Sequence, residues 1–372
     1  MRIAYASLHW PRTRSSNIGK KIARQIKAWQ EADHEVRFFM HTHPYPGDTA
    51  LLEGEIFEYH SGTGILRKAQ RELSRSAALK KMLAAVAGYR PDLIYMRMDY
   101  YAFPAHRLFR IAPVVIEVNS LDISEHLLWS RMLGAYNLIT RRLILSRPAG
   151  LVYVSHELAG HQAFSSFAKP TKVIANGIDL KGIEPLPAPH NDNPRLVFMA
   201  GELLPWHGVD KLLELAERFP DITIDVIGSL PAPGKRPSNV TFHGYLEPAD
   251  YLKLFARADA AAGTLALHRK GMEEASPLKT REYLACGLPL IIAYRDTDLD
   301  DLACDCFLKI PNREDNIQTH GTAIHDFACR MRGRRVDREL IAQRIDAGPK
   351  EEARFALFEK IVSRHEPRYP RT

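Results

Sequence analysis

Short apolar runs and helical stripes alternate along the whole chain. Arg2–Ser7 is an apolar run of strand length, and residues 18–32 then carry Ile18, Ile22, Ile26 and Trp29 on one helical face. Residues 36–41 read as a second strand. Residues 64–87 read as a long basic amphipathic helix with Leu73, Leu79, Met82, Leu83 and Val86. Apolar runs at 93–97, 113–118 and 151–154 predict buried strands, with a helix from about His156 and a short strand at 172–175. Strands alternating with helices predict an open, mostly parallel sheet covered on both faces.

Residues 183–195 break this rhythm with four prolines in a polar stretch, the composition of a stiff linker. The alternation then restarts. Strands are expected at 196–200, 222–227, 240–243, 260–265 and 288–293. Helices are expected at 209–216 and 248–258, and through most of the chain beyond about His320. The fold class expected is α/β, two tandem Rossmann-like doubly wound domains facing a central cleft. The domains are placed at residues 1–185 and 186–348, with a final helical segment at 349–372 packing back on the first. Strand carboxyl ends and helix N-termini in such domains suit a phosphorylated nucleotide.

Composition changes this picture little. The 372 residues are 45% hydrophobic and 26% charged, as in ordinary globular proteins. No stretch approaches the roughly 18 apolar residues that span a bilayer, and the N-terminus reads as a core strand, not a signal peptide. Four cysteines without framework spacing suit a reducing cytosol. Charge is uneven: residues 1–170 hold 23 Lys/Arg against 14 Asp/Glu, while the remainder is close to neutral. A basic face suits nucleic acid, anionic lipid or a phosphorylated substrate. No nucleic-acid reading module is recognisable, so no nucleic-acid partner is expected.

The candidate chemistry lies in residues 273–289, which follow a strand and open a helix. Ser276 suits an N-cap and Pro277 the first helical position. The amides that follow, through Leu278 and Lys279, then form an anion site to which Lys279 adds a full charge. Glu282 lies further along this helix, where a carboxylate accepts bonds from ribose hydroxyls, and Glu274 lies just before it.

Glu274-x7-Glu282 followed by Ala285-Cys286-Gly287-Leu288-Pro289 resembles the E-x7-E signature of retaining glycosyltransferases with the GT-B fold, glycosyltransferase family 4 (group 1) in particular. Three further blocks stand in the expected order. Ala175-Asn176-Gly177-Ile178-Asp179 is similar to the P-N-G-I-D segment that ends the front domain. Gly201 with Pro205-Trp206-His207-Gly208-Val209-Asp210 is similar to the G-R-x-x-x-x-K-G-V-D block, and Phe242-His243-Gly244-Tyr245 to the F-x-G turn near the nucleotide base. The resemblance covers about residues 1–310. It implies transfer of a hexose-type sugar from a nucleotide-diphosphate sugar to a glycan, polysaccharide or lipid-linked acceptor, with retention and without a metal. No cofactor is implied, the nucleotide-sugar being a substrate. Glu282 would contact ribose and Glu274 the donor sugar. Lys279 and the amides around Ser276, Pro277 and Leu278 would hold the diphosphate, aided by His207, Gly201 and Gly244.

Departures from the family pattern sharpen the expectations. Glu202 and His207 stand where the family often has an arginine and a lysine, which shifts phosphate binding onto Lys279. Asn119, after the strand at 113–118, stands where the family often has a histidine near the sugar, with Glu117 a second candidate. The first loop, Arg14-Ser15-Ser16-Asn17-Ile18-Gly19, has one glycine where two are usual. Gly19, Asn17 and Arg14, with Arg12, would meet a phosphate or an anionic acceptor. Gly19-Lys20 is not a P-loop, because Lys21 follows in place of Ser or Thr. His41-Thr42-His43 and Cys304-Asp305-Cys306 put paired ligands on one strand face without completing a metal set. The helix at 64–87 and the run 131–147 make an anionic membrane surface a candidate partner, with reversible docking from a cytoplasmic location. The alternatives are a non-catalytic GT-B-like nucleotide- or glycan-binding protein and a nucleotide-sugar epimerase.

Overall fold

The computed structural model describes residues 1–9, 17–43, 54–61, 64, 66–167, 169–201, 204–229 and 234–365. The chain divides into two compact units, residues 1–174 with 350–372, and residues 175–349.

The first unit runs through β1 (Arg2–Ser7), α1 (Asn17–Glu31), β2 (Glu35–Thr42), β3 (Gly54–Glu58), α2 (Arg67–Tyr89), β4 (Leu93–Arg97) and β5 (Val114–Val118). It continues with α3 (Asp122–Trp129), α4 (Arg131–Thr140), α5 (Arg142–Leu145), β6 (Gly150–Tyr153), α6 (His156–Gly160), α7 (Gln162–Ser165) and β7 (Thr171–Val173). Its seven strands are parallel in the order β3-β2-β1-β4-β5-β6-β7. A parallel sheet is covered on both faces, which is why β1, β4 and β6 are nearly unbroken apolar runs.

The second unit contains β8 (Arg195–Met199), α8 (Val209–Arg218), β9 (Thr223–Ile227), β10 (Val240–Phe242), α9 (Pro248–Arg257) and β11 (Ala260–Ala262). It continues with β12 (Glu274–Ala275), α10 (Leu278–Ala285), β13 (Leu290–Ile292), β14 (Arg295–Asp296), β15 (Phe307–Lys309), α11 (Asn316–Arg330) and α12 (Arg338–Ile345). Six parallel strands run β10-β9-β8-β11-β13-β15, and β12 pairs with β14 beside them. Both large sheets reverse strand order next to their own first strand, β1 or β8. In doubly wound sheets that switch point is where ligands bind, at the strand carboxyl ends.

After α12 the chain returns to the first unit in α13 (Ala347–Val362). There Phe358 meets Trp29 edge-on with ring centroids 5.4 Å apart, and Trp29 also stacks on Tyr5 at 5.7 Å. The Trp29 indole donates to Glu351 at 2.6 Å, so its buried N–H is satisfied.

Several details differ from the sequence reading. The strands β3 and β15 were not expected; β3 is a polar edge strand of alternating exposure and β15 is only three residues long. Leu73 is 72% exposed, so the buried face of α2 begins at Arg75 and Ala78. The helix expected from His156 is two short helices, broken where the His161 ring accepts from the Ala163 amide. The proline-rich stretch lies within the second unit, where Ile183 and Leu186 pack on its core and the Leu186 amide donates to the Cys286 carbonyl at 3.0 Å. The unit boundary accordingly falls at residue 174, before Asn176, and not at 185.

Candidate functional site

In the second unit the segment from β12 into α10 is held by a buried arginine. Arg281 is fully buried and donates to both carboxylate oxygens of Asp296 at 2.8 Å and to Asp298 at 2.9 Å. It also donates to the Ser276 hydroxyl and the Asn176 carbonyl, each at 2.8 Å. Asn176 returns bonds to Ser276 from its amide N–H, at 2.9 Å, and from its side chain. Ser276 is therefore not the N-cap. The cap residue is Pro277, in extended geometry (φ −71°, ψ 138°), and α10 begins at Leu278. The serine hydroxyl is committed to the Arg281–Asn176 clamp that fixes the loop. On the opposite side, the Tyr283 hydroxyl accepts from the Met199 amide at 2.6 Å and pins α10 to the end of β8.

This scaffold presents Lys279 in the first turn of α10, where backbone N–H groups have no intrahelical partner. Lys279 is 8% exposed, and its ammonium has no hydrogen-bond partner. The Nζ atom sits 4.1 Å from the centroid of the Phe198 ring, and burial pushes its pKa down to about 7. A buried cation without a counter-charge is costly, and an anionic ligand would supply what is missing. The His207 ring lies 6.4 Å from the same Phe198 ring, at the end of a 3-10 turn over Pro205–His207. The structure thus gathers His207 and Lys279 about Phe198, near the carboxyl end of β8.

The neighbouring turns are shaped by glycine. Gly228 ends β9 at φ 136°, and a Cβ there would lie 1.6 Å from the Ala200 carbonyl oxygen. Its amide donates to the Gly244 carbonyl at 2.8 Å, and Gly244 itself has φ 69°. Gly201 is exposed and open, with nothing within 4 Å of a Cβ position. Glu282 is partly buried and accepts a bond from the Tyr251 hydroxyl on α9, which orients its carboxylate. Glu274 is 4% exposed on β12. Glu202 lies outside the described residues.

In the first unit Asn119 follows the carboxyl end of β5. Its amide donates to the carbonyl and the carboxylate of Glu117, each at 3.2 Å, and its oxygen accepts from Lys21 at 3.2 Å. Glu117 is fully buried, 2.8 Å from Lys21 and 3.5 Å from Arg354 of α13. Burial alone would raise its pKa, but Lys21, Arg354 and Arg97 together hold it at about 2. Burial is the larger influence on Lys21 and lowers it to about 8 despite Glu117. Glu117 is a positioning residue that fixes the Asn119 side chain.

Lys21, Arg281 and Arg354 were not singled out from sequence. For Lys21 a signal existed: it falls within the apolar stripe of α1, three residues after Ile18, and Glu117 interrupts the apolar run of β5. Charges on two inward faces imply a buried pair. Gly19 is buried in α1, and Asn17 begins that helix. The side chain of Asn17, with Arg12 and Arg14, lies outside the described residues.

The lesser motifs take structural roles. His41 is buried with its ring nitrogens 3.0 and 3.1 Å from the Leu8 and Arg75 carbonyls. Cys304 and Cys306 lie before β15 in a turn, not on a strand face, and are joined by a disulfide, which corrects the expectation of reduced cysteines for this pair. Among the described residues no group of three or more His, Cys, Asp or Glu could hold a metal ion.

Two Rossmann-like α/β domains, with a buried cation at a helix start in the second, define the class as GT-B. A family model described as Glycosyltransferase Family 4 matches residues 20–181, and one described as glycosyl transferase-like matches residues 210–305. The first span holds Lys21, Glu117 and Asn119, the second Gly244, Glu274, Lys279 and Glu282. No curated protein matches the sequence. Among solved structures, sucrose-phosphate synthase from Thermosynechococcus elongatus superposes with a TM-score of 0.70 at 17% identity, over 98% of this chain and 100% of that one. The lipopolysaccharide outer core galactosyltransferase WaaB gives 0.64 at 14%, over 97% and 100%. Anabaena HepE, in complex with UDP and glucose, gives 0.60 at 16%, over 97% and 100%. The chain is a GT-B glycosyltransferase of the family 4 (group 1) type.

Proposed function

We propose that the protein transfers a hexose-type sugar from a nucleoside diphosphate sugar to a glycan, polysaccharide or lipid-linked acceptor, with retention of anomeric configuration and without a metal ion. The observation that carries the donor reading is Lys279, a buried ammonium with no partner in the first turn of α10. The leaving group is a nucleoside diphosphate, and stabilising its growing charge is the main task of such a catalyst. Lys279 and the free amides of α10 do this, with His207 as a further donor. Open Gly201 and the Gly244 turn let the nucleotide approach backbone. Glu282, oriented by Tyr251, accepts from ribose, and Glu274 accepts from the donor sugar. Asn119, held by Glu117 and Lys21, bonds a sugar hydroxyl. HepE, solved with UDP and glucose, supports a nucleoside diphosphate sugar as donor here.

The test is a transfer assay over UDP-, GDP-, ADP- and TDP-sugars with oligosaccharide and polyprenyl-phosphate-linked acceptors, run with and without EDTA. Retained anomeric configuration and EDTA-insensitive turnover are expected. Glu282→Ala, at a partly exposed site, should weaken donor binding by roughly 10-fold or more, one charged hydrogen bond, without lowering the melting temperature. A fully active Glu282→Ala variant overturns the ribose assignment. Inverted product overturns retention, EDTA-sensitive turnover overturns metal independence, and epimerised donor without acceptor points to the epimerase alternative.

A further inference from the structure

The first unit holds a second cationic pocket, at the other end of its sheet from Asn119. It is a cavity of about 350 Å³ lined by His106, Phe109, Arg110, Ser146, Arg147 and Lys169. His106 and Arg110 come from the 3-10 turn before β5, Ser146 and Arg147 from the segment before β6, and Lys169 from the residues before β7. In a parallel sheet these all lie at strand amino ends, whereas Asn119 follows a strand carboxyl end.

No carboxylate lines the pocket. Arg147, Arg107 and Arg110 add to burial in lowering the pKa of His106, as a positive field does. The pocket is tied to the helices beside it: the Tyr101 hydroxyl bonds His106 Nδ1 at 2.7 Å, and the Tyr136 hydroxyl of α4 donates to the Tyr101 carbonyl at 2.9 Å. Those helices expose apolar side chains. Met132 is 77% exposed and Ile139 79%, with Leu127, Leu128, Leu138 and Leu143 also exposed. Between Glu125 and Glu157 the chain has no acid, while Arg131, Arg142 and Arg147 are exposed. Apolar side chains set among unopposed cations match an anionic lipid surface. The other basic helix, α2, lacks this pairing: its exposed Leu73 stands beside Glu72.

We propose that this pocket binds the phosphate of an anionic phospholipid headgroup, and that the exposed face of α3–α5 beside it enters the interfacial layer of the bilayer. Arg110, Arg147 and Lys169 supply charge to the phosphate, and Ser146 and His106 supply hydrogen bonds. Met132 and Ile139 lie among the acyl-chain ends of the headgroups. Docking is reversible and weakened by salt, because each contact is partial. The inference does not depend on the donor assignment.

The test is co-sedimentation of the full chain with vesicles of phosphatidylcholine, alone or mixed with phosphatidylglycerol. Binding is expected only to the mixed vesicles. A cation near an anionic surface is worth about fivefold in partitioning. Arg147→Gln/Lys169→Gln should therefore lose roughly 25-fold. Met132→Ser/Ile139→Ser should lose more than about tenfold. Lys80→Gln/Lys81→Gln on α2 is the charge-matched control and should stay within a few-fold of wild type. All these side chains are exposed or partly so, and unchanged melting temperatures exclude misfolding. Equal losses in the α2 control, or no binding to mixed vesicles, overturn the proposal. So does calorimetric binding of inorganic phosphate or glycerol 3-phosphate that needs Arg147 and Lys169 but brings no vesicle binding; the pocket would then be a site for soluble phosphate.

Discussion

Lys279 should take up a proton when the donor binds. Burial lowers its pKa to about 7 in the free protein, against about 10.4 in an unfolded chain. At pH 8 roughly one molecule in ten carries the charged form, and at pH 7 roughly half do. A diphosphate against the ammonium favours the charged form and lifts the pKa again. Binding at pH 8 should then draw close to one proton from the buffer, and about half of one at pH 7. Nucleoside diphosphate sugars have no phosphate titrating near neutrality, so the ligand does not mask the effect. The assay is calorimetry of the tightest-binding nucleotide-sugar in HEPES and in Tris, whose ionisation enthalpies differ. Binding enthalpy should depend on the buffer for the native protein and lose that dependence in Lys279→Met.

The same group carries a sign for stability. Its folded pKa lies below its unfolded one, so the unfolded chain holds more protons between about pH 7 and 10.4. Stability contributed at this site therefore rises with pH through that window, and the penalty is complete below about pH 7. The shift corresponds to roughly 3–5 kcal/mol at neutral pH, an upper range because water penetration softens burial. Lys279→Met conserves the shape and removes the charge. It should raise the melting temperature of the free protein at pH 7 while weakening donor binding by roughly 10- to 100-fold. Donor binding without proton uptake, or uptake that persists in Lys279→Met, would refute the assignment of this lysine to the diphosphate.

Other outcomes follow from the packing. Glu117 is held at about 2, below its unfolded value, so its contribution is complete above about pH 4.3 and is lost as the pH falls towards 2. Glu117→Gln should cost about 2–4 kcal/mol at pH 7, measured by urea unfolding, and should flatten the acid limb of the stability profile. An unchanged acid limb would contradict the Lys21–Glu117–Arg354 cluster. Gly228→Ala puts a methyl 1.6 Å from the Ala200 carbonyl oxygen and should cost more than about 3 kcal/mol. Gly201→Ala meets nothing within 4 Å and should change stability by less than about 0.5 kcal/mol, so any loss of nucleotide binding there reports approach of the ligand itself.

Local pattern determined the order of elements and the place of the anion site. Apolar runs of strand length and stripes of helical period follow from burial on one or both faces, and both are readable without partners. The block from Glu274 to Pro289 is equally local, since a helix start after a strand concentrates its chemistry in consecutive residues. Tertiary structure decided what those residues touch. Ser276 was legible as a capping residue, but Arg281 and Asn176 claim its hydroxyl from elsewhere in the chain and move the cap to Pro277. The proline-rich stretch has the composition of a spacer, yet Ile183 and Leu186 find a core to bury in. Lys21, Glu117 and Arg354 stand far apart in sequence and meet only when β5, α1 and α13 pack. A charge pays its desolvation cost through a partner that folding supplies, so whether a lysine is paired, like Lys21, or left without a partner, like Lys279, is decided by tertiary structure.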